Sequence, residues 1–266
     1  MPRSVLRLLR ITRTLLSVYY AYMLEYRAEL MLWVLSGSLP LILMGAWVQA
    51  SQSGQFGLSP TDFIRYFIAV FFVRQFTVVW VIWEFEREVV EGKLSFRLLQ
   101  PLDPGWHHLA SHFAERFARL PFALLLMGLF FWLYPEAIWR PSLPNLLLCL
   151  LTLLLAFILR FVTQYAFSMF AFWLERAYAI EQFWFLFYLF LSGLVAPLEV
   201  FPPAVREIVS WTPFPYMIHF PASILIGLPV NVGRGLLIMI DWIIIFWFLN
   251  RWLWRKGLKQ YSGMGA

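Results

Sequence analysis

Long hydrophobic runs alternate with short polar segments along the chain. A bilayer core about 30 Å thick is crossed by about 20 apolar residues in a helix. Runs near that length predict six spans, at about residues 28–48, 63–83, 117–134, 146–174, 177–195 and 235–252. The pattern therefore predicts an all-α, polytopic integral membrane protein with six transmembrane helices.

A basic amphipathic segment precedes the first span. Arg3, Arg7, Arg10 and Arg13 recur at helical spacing, and leucines fall on the opposite arc. This arrangement is typical of a helix that lies in the membrane interface. We expect such an interfacial helix over residues 1–24 rather than a cleaved signal peptide, because no small-residue cleavage site follows the charges.

Two other stretches interrupt the apolar runs. Residues 84–116 carry the longest series of charges and predict a cytoplasmic segment between spans two and three. Residues 197–233 are apolar but contain repeated prolines, which a continuous transmembrane helix does not tolerate. They predict a re-entrant outer region of short half-helices, a geometry allowed where protein or water satisfies the free backbone groups.

Composition makes lipid the expected solvent. Hydrophobic residues make up 61% of the chain and charged residues 14%, with a mean hydropathy of +0.71, and a water-soluble fold cannot bury that much apolar surface. Cys149 is the single cysteine, so neither a disulfide framework nor a cysteine metal cluster is available.

The net charge of +6 is scattered between the hydrophobic runs rather than gathered on one soluble face, so no nucleic-acid partner is expected. Lys and Arg concentrate in the loops on the side of the two termini. Because basic residues favour the cytoplasmic side, both termini are predicted to be cytoplasmic.

Signatures of the common ATP-binding and hydrolytic sites are missing. The dipeptide Gly92-Lys93 is followed by Leu94 and has no glycine five positions earlier, so it is not a phosphate-binding loop. Neither an H-E-x-x-H helix nor a G-x-S-x-G elbow occurs. We therefore expect no catalytic residue and no cofactor in this chain, and any ATP must be hydrolysed by another chain.

His108, His112 and Glu115 have the spacing of one helix face. Imidazole and carboxylate groups are metal ligands, so this face raises a metal hypothesis. We favour a solvated helix face at the membrane edge instead, because no second site supplies further ligands. No metal site is predicted.

Arg74, Arg160 and Asp241 fall inside spans two, four and six. A lone charge in hydrocarbon is costly unless it is paired or wetted, so these side chains are expected to face the protein interior. Charge pairs that lock helices together and a polar lining for a substrate path or proton relay remain open. Pairing of Asp241 with either arginine is a hypothesis only.

The segment 91–104 is the most informative polar piece. Gly92 and Pro101 are expected to bound a short helix whose apolar edge, formed by Leu94, Leu98 and Leu99, lies between Lys93 and Arg97. Such a helix is suited to a groove on a partner protein. The alternative is an ordinary loop folded against the membrane surface.

These features, in this order, resemble the ABC-2 family of ABC-transporter permeases, the six-span membrane subunits of bacterial exporters. The resemblance covers nearly the whole chain. It is carried by the basic first helix, by the segment 91–104, and by Ser192-Gly193-Leu194-Val195-Ala196-Pro197-Leu198-Glu199-Val200-Phe201-Pro202 followed by Trp211-Thr212-Pro213-Phe214-Pro215-Tyr216.

The resemblance implies a dimer of permeases, identical or homologous, in the bacterial inner membrane and surrounded by its lipid. Each permease would dock on a separate ABC ATPase subunit, which binds the ATP and Mg²⁺. The implied docking residues are Glu91, Gly92, Lys93, Leu94, Arg97, Leu98, Leu99 and Pro101. The implied outer gate residues are Gly193, Pro197, Pro202, Pro203, Pro213 and Pro215. Family members export drugs, lipids, glycans or peptides, and the aromatic residues of span five fit an amphiphilic cargo.

Two alternatives belong to other classes of protein. The first is an intramembrane enzyme that acts on lipid-linked substrates through the face of His108, His112 and Glu115, and it predicts activity without ATP. The second is a secondary transporter that uses Asp241 with an ion gradient. Its usual sign, paired broken helices in two related halves, is missing, because only the region after span five is expected to be broken.

Overall fold

The computed structural model of the chain describes residues 3–52 and 56–261, with all their side chains except those of residues 3–6 and 8. Throughout this part of the chain the regular structure is helical, without a β-strand. The predicted all-α class is therefore confirmed. Helices satisfy their own backbone hydrogen bonds, which hydrocarbon cannot do for them.

The helices follow one another with short connections. The α-helices are α1 (Arg3–Glu25), α2 (Arg27–Ser36), α3 (Leu39–Ser51), α4 (Pro60–Thr77), α5 (Val81–Val90), α6 (Leu94–Leu98), α7 (Pro104–Leu133), α8 (Leu143–Ser168), α9 (Tyr178–Leu191), α10 (Pro203–Val209), α11 (His219–Ile226) and α12 (Val232–Gly257). Short 3₁₀ helices lie at Pro135–Ala137, Met169–Phe172, Leu198–Val200 and Pro215–Met217.

Five helical stretches of the described chain are long and apolar enough to cross a bilayer: Arg27–Ser51, Pro60–Val90, Pro104–Leu133, Leu143–Phe172 and Val232–Gly257. They correspond to predicted spans one, two, three, four and six. The fifth span is represented by α9, an apolar helix of 14 residues, which is about 21 Å long. Six crossings therefore remain a prediction.

The N-terminal segment forms α1, which packs along α7. A helix was predicted over residues 1–24, and the helix in the structure ends at Glu25. The side chain of Arg3 and all of residues 1–2 lie outside the described residues. The position of α1 in the membrane interface remains a prediction.

The helix α4 forms the centre of the molecule. Phe63, Tyr66, Phe67 and Phe71 are completely buried, among side chains of α3, α7, α8 and α11. The helix starts with a capping box, in which the Ser59 hydroxyl accepts from the Asp62 N–H at 3.2 Å and the Asp62 carboxylate accepts from the Ser59 N–H at 3.0 Å.

Spans one and two are broken helices. A turn at residues 37–38 separates α2 from α3, and a non-helical stretch at residues 78–80 separates α4 from α5. The expectation that only the region after span five is broken was wrong. Non-helical backbone within a predicted span is tolerated where protein groups satisfy it.

The third span begins much earlier than residue 117, because α7 starts at Pro104. His108, His112 and Glu115 therefore lie within a 30-residue helix, and all three are buried. The expectation of a solvated face was wrong. Their polar groups have partners inside the protein: His108 contacts Glu84 and Glu88 of α5, His112 accepts from the Trp80 N–H, and Glu115 pairs with Arg119.

Short helices occur in residues 197–233 as the prolines predicted. Pro203 begins α10, which is mostly exposed. By contrast, α11 is packed against α4 and α8, and its first six residues are all buried. Gly227, with a φ of +81°, ends α11 in the left-handed conformation. Entry of these helices into the membrane remains a prediction.

Candidate coupling surface and outer cavity

The predicted short helix between Gly92 and Pro101 is present as α6. Gly92 has a φ of +72° and turns the chain out of α5. Its carbonyl oxygen accepts a hydrogen bond of 3.0 Å from the hydroxyl of Tyr261, which also lies 3.1 Å from the Ser95 hydroxyl. The segment after α12 therefore holds α6 in place.

The predicted apolar edge of α6 is split between two sides. Leu94 is completely buried, Leu98 is 38% exposed and Leu99 is 84% exposed. Phe96, which the sequence reasoning did not select, is 66% exposed. Leu94 anchors the helix to the body of the protein. Phe96 and Leu99 are the most exposed apolar side chains of this segment, and together we call them the coupling surface.

The charged residues around α6 are paired within the chain. Lys93 lies 2.5 Å from Glu91, and both side chains are exposed. Arg97 contacts the same carboxylate oxygen of Glu88 through Nη2 at 2.7 Å and Nε at 2.8 Å. Pro101 is exposed in the turn that leads to α7. Arg97 therefore contributes to the position of α6 rather than presenting a free charge.

The break between α4 and α5 is bridged by side chains of α7. The Trp80 N–H donates to Nε2 of His112 at 2.9 Å, and Arg116 donates to the carbonyl oxygen of Val78. Nδ1 of His112 lies 2.9 Å from the carbonyl oxygen of His108 and must donate to it. These bonds fix one neutral tautomer of His112 and tie α5 mechanically to α7.

The same contacts argue against a metal at this face. Both ring nitrogens of His112 are already bonded to backbone groups. In the described part of the chain, no group of three or more His, Cys, Asp and Glu side chains is arranged to hold a metal ion. His108 lies 3.4 Å from Glu84 and 3.3 Å from Glu88, and Glu115 pairs with Arg119 within α7.

The three predicted intramembrane charges have different environments. Arg74 is half-buried and donates to the carbonyl oxygen of Gly37 at 2.9 Å, at the break in span one. Arg160 is buried, with its guanidinium carbon 3.9 Å from the centre of the Tyr188 ring. Asp241 is exposed on α12, and no ion pair of the described chain joins it to either arginine. For Asp241, both the inward orientation and the pairing were wrong.

A cavity of about 300 Å³ lies at the other end of the molecule. Arg234, at the start of α12, lines this cavity, whereas Tyr261, just beyond the end of α12, contacts Gly92. A helix of 26 residues is about 39 Å long. The cavity and the coupling surface are therefore at opposite ends of α12.

A buried hydrogen-bond network forms the inner wall of this outer cavity. The Tyr66 hydroxyl lies 3.0 Å from Nδ1 of His219, whose Nε2 is 3.6 Å from the Glu199 carboxylate. Burial lowers the pKa of His219 below its ordinary value, and the nearby Glu199 carboxylate opposes that shift. The backbone N–H of His219 donates to the carbonyl oxygen of Ser192 at 2.9 Å, and this bond joins α11 to the end of α9.

The predicted gate residues lie around this network. Gly193, with a φ of +88°, follows α9, and the buried Pro197 precedes the 3₁₀ helix Leu198–Val200. The exposed Pro202 and Pro203 start α10. Pro213 and Pro215 are buried, and Pro215 lines the cavity. Pro197, Pro202, Pro203 and Pro215 thus lie at the starts of short helices, whereas α11 begins at His219. Gly193 is the predicted gate residue that bonds to the network, through its carbonyl oxygen and the Tyr66 hydroxyl.

An ion pair holds α10 over the cavity. Arg234 lies 3.0 Å from Glu207 and stacks on Trp211 with its guanidinium carbon 4.5 Å from the ring centre. The hydrogen bonds from Arg234 and Trp211 lower the pKa of Glu207 below its ordinary value. We call these contacts of Arg234 with Glu207 and Trp211 the lid contact. It joins α10 to the first turn of α12.

Residues 54–265 match the family described as ABC-2 family transporter protein. The match covers well over half of the chain. The chain belongs to the ABC-2 transporter family. A search of curated proteins found no match to this chain. Because the match begins at residue 54, the part of the resemblance that rested on the basic first helix remains a prediction.

Membership of the ABC-2 family fits the architecture. The ABC-2 protein is a multi-pass membrane protein with a permease role, a transport subunit that is not itself catalytic. An intramembrane enzyme centred on His108, His112 and Glu115 therefore finds no support. The matched region contains α4 to α12, and with them both the coupling surface and the outer cavity.

Several residues of these sites were missed by sequence reasoning. They are Phe96, Tyr261, Tyr66, His219 and Glu199. A histidine and a glutamate flanking the proline-rich stretch were visible in the ABC-2 sequence, but their meeting with Tyr66 depends on tertiary packing. Phe96 could have been found as the largest apolar residue between Gly92 and Pro101.

Proposed function

We propose that this ABC-2 permease is the membrane subunit of an ATP-driven exporter and docks on a separate ABC ATPase through α6. The observation that carries the proposal is the coupling surface, Phe96 and Leu99, which is exposed on a helix that internal contacts hold in one position. An apolar helix face of this kind is suited to a groove on a partner. ATP and Mg²⁺ belong to the partner, because this chain has no phosphate-binding loop.

The internal contacts supply a route by which a push on α6 reaches the spans. The helix α6 is held to α5 by the pair of Arg97 and Glu88, and α5 is bonded to α7 across the break at residues 78–80. Movement of the partner would therefore displace α5, α6 and α7 together. Short, bonded connections transmit such a displacement better than a flexible loop does.

A second permease, identical or homologous, is part of the proposal. The helix α9 exposes Phe183, Leu186, Phe187 and Phe190 on one face. A helix that is short for the bilayer is accommodated in part by association with other helices. We assign this face of α9 to the contact with the second permease.

The neighbouring helix α12 supports the same assignment. Trp184 of α9 lies 6.1 Å from Phe246 of α12, measured between ring centres, so the two helices are adjacent. Asp241 is exposed on α12, and a carboxylate within a span is costly against lipid. A partner helix or an aqueous path would remove that cost, and both are expected between two permeases.

The direction of transport and the cargo are proposed from the membrane arrangement. Lys and Arg concentrate on the side of the termini, which supports the proposal that α6 lies in the cytoplasm of a bacterial cell and the outer cavity outside it. The cargo is proposed to be amphiphilic: lipid-, glycan-, peptide- or drug-like. The short helices around the outer cavity would gate its release.

The test is purification of the full-length permease from its native membrane in mild detergent, with mass spectrometry of any stoichiometric partner. We expect an ABC ATPase to be recovered, and Leu99→Asp to reduce its recovery at least tenfold. Ile208→Asp is the matched control, because Ile208 is 69% exposed on the short helix α10 at the opposite end of the molecule.

Recovery without any ATPase in repeated purifications would overturn the exporter proposal and favour a transporter driven by an ion gradient. If an ATPase is recovered and neither substitution reduces its recovery, the docking site lies elsewhere on the chain.

A further inference from the structure

A second large cavity, of about 500 Å³, lies where α1, α2, α5 and α7 meet. Small-ligand sites commonly have volumes of about 300–1,000 Å³. Nothing in the proposed transport cycle uses this cavity. Its lining combines aromatic rings, carboxylates and guanidinium groups, and that combination points to the chemistry of its ligand.

The aromatic rings of the lining form two groups. Tyr22 and Tyr26 have ring centres 4.8 Å apart, and Trp80 lies 5.2 Å from Trp33 and 5.6 Å from Trp83. Of these, Tyr22, Tyr26, Trp33 and Trp83 are exposed, so their rings are open to a ligand. Aromatic faces attract cations, and clustered rings are the usual way in which proteins recognise alkylated ammonium groups.

Carboxylates complete a site for a cation. Glu29 of α2 lines the cavity, is exposed, and forms no ion pair within the described chain. Glu84 of α5 and Glu115 of α7 also line the cavity, but they are engaged with His108 and Arg119 respectively. Glu29 is therefore the acidic group left to pair with a bound ammonium group.

The same cavity also holds positive charge that forms no direct ion pair. Arg87 lines the cavity, is exposed, and makes no hydrogen bond or salt bridge in the part of the chain that the structure describes, although the Glu84 carboxylate attracts it electrostatically. Arg119, which is 3% exposed, bonds to Glu115 through Nη2 while its Nε has no hydrogen-bond partner among those residues. Guanidinium groups are the preferred side chains for phosphate. A ligand that satisfies both halves of the lining carries an ammonium group and a phosphate.

Surroundings of the cavity favour a lipid over a soluble zwitterion. The helix α2 also exposes Met31, Leu32 and Leu35. At about 3.6 residues per turn these three lie on the side of α2 away from the lining residues Glu29, Leu30 and Trp33, so α2 presents an apolar face to lipid beside the cavity. Trp and Tyr side chains are enriched at the level of lipid headgroups. The helices α2 and α3 together form one of the stretches long enough to cross a bilayer.

We propose that this cavity binds the headgroup of a zwitterionic phospholipid, with its ammonium group among the tryptophan rings and Glu29 and its phosphate at Arg87. The site belongs to this chain alone and does not depend on an ATPase partner. Its occupancy can therefore be measured whether or not the exporter proposal holds.

Native mass spectrometry of the delipidated full-length chain tests the proposal. The protein is titrated with phosphatidylethanolamine, phosphatidylcholine or phosphatidylglycerol that carry the same acyl chains. Binding of the first lipid molecule to the protein is expected to be at least about threefold tighter for phosphatidylethanolamine or phosphatidylcholine than for phosphatidylglycerol. Glu29→Gln, Trp33→Leu and Arg87→Gln are each expected to weaken that first binding at least about threefold.

These substitutions fall on exposed side chains, so folding should be retained, and the melting temperature of each variant is measured as a check. Trp132→Leu is the matched control for Trp33→Leu, because Trp132 is an exposed tryptophan of α7 outside the cavity. Equal affinity for phosphatidylglycerol together with no effect of Glu29→Gln would overturn the proposal. Equal losses for Trp33→Leu and Trp132→Leu would also overturn it, because they would show non-specific adsorption of lipid.

Discussion

The hydroxyl of Tyr66 in the middle of the fold donates a hydrogen bond of 2.8 Å to the carbonyl oxygen of Gly193 at the end of α9. Gly193 has a φ of +88°, a conformation that disfavours any side chain. A Cβ atom at this position would also collide with the Tyr66 hydroxyl and with His219. The glycine therefore allows α9, α4 and α11 to meet at the wall of the outer cavity.

Gly193→Ala is expected to destabilise the protein by about 2–5 kcal/mol, because left-handed strain of about 1–2 kcal/mol is added to overpacking of about 1–3 kcal/mol. Gly227→Ala is the control. Gly227 has a φ of +81°, but a Cβ there would come no nearer than 3.7 Å to the Asn145 side chain. The melting temperature in detergent should fall clearly more for Gly193→Ala. Equal decreases would show that the close packing around Gly193 does not contribute to the stability of the protein.

The C-terminal contact of α6 gives a second prediction. Tyr261→Phe removes the hydroxyl that bonds to Gly92. A lost hydrogen bond of about 1 kcal/mol should accelerate local opening about fivefold. Hydrogen exchange measured by mass spectrometry should therefore be faster in residues 92–98 and unchanged in α4. Tyr20→Phe serves as the control, because Tyr20 is an exposed tyrosine of α1, and the same acceleration in that variant would contradict the assigned contact.

Hydrophobic periodicity predicted most of the helices, because length and apolar content decide whether a segment can cross a bilayer. It could not predict the break at residues 78–80. The sequence there is Val-Val-Trp and contains neither glycine nor proline. The break is stabilised from outside, by His112 and Arg116 of α7, which bond to the freed backbone groups. Residues on a distant segment supply those partners, and local sequence does not show them.

Sequence reasoning predicted the short helix between Gly92 and Pro101 but not the orientation of its side chains. Spacing shows that Leu94 and Leu98 share a helix face, but packing decides that Leu94 points inward and that Phe96 faces outward. Packing also decides the orientation of Asp241. A charge within a span was expected to face the interior, yet the buried face of α12 contains small and apolar residues such as Gly235 and Met239, and Asp241 lies away from it.

Acid should loosen the lid contact between α10 and α12. The pKa of Glu207 is lowered in the folded protein, chiefly by its hydrogen bond from Arg234. A carboxylate with a lowered pKa contributes its stabilisation above its ordinary pKa of about 4.3, and the contribution is lost as the pH falls through the folded value. Hydrogen exchange of residues 203–212, corrected for the intrinsic effect of pH, should show less protection at about pH 3 than at about pH 6.

Glu207→Gln removes the titrating group and is the control for that measurement. In this variant, residues 203–212 should be weakly protected from hydrogen exchange at both pH values, with little difference between them. A wild-type protein whose residues 203–212 are equally protected at both values would contradict the role of the ion pair.

The assignment of α9 to the contact between two permeases can be tested by cross-linking. Cys149 is the single cysteine of the chain and is buried, so a new cysteine can be introduced without first removing it. Phe187→Cys, on the exposed face of α9, should give a disulfide-linked pair of permeases after oxidation in the native membrane. Leu151→Cys is the control, because Leu151 is similarly exposed but lies on α8.

Disulfide formation requires Cα atoms within about 7 Å of each other. Random collisions should therefore link both variants weakly, whereas a stable contact should link Phe187→Cys alone. Equal linking of the two variants would refute the α9 interface while leaving the docking of α6 to be judged by its own experiment.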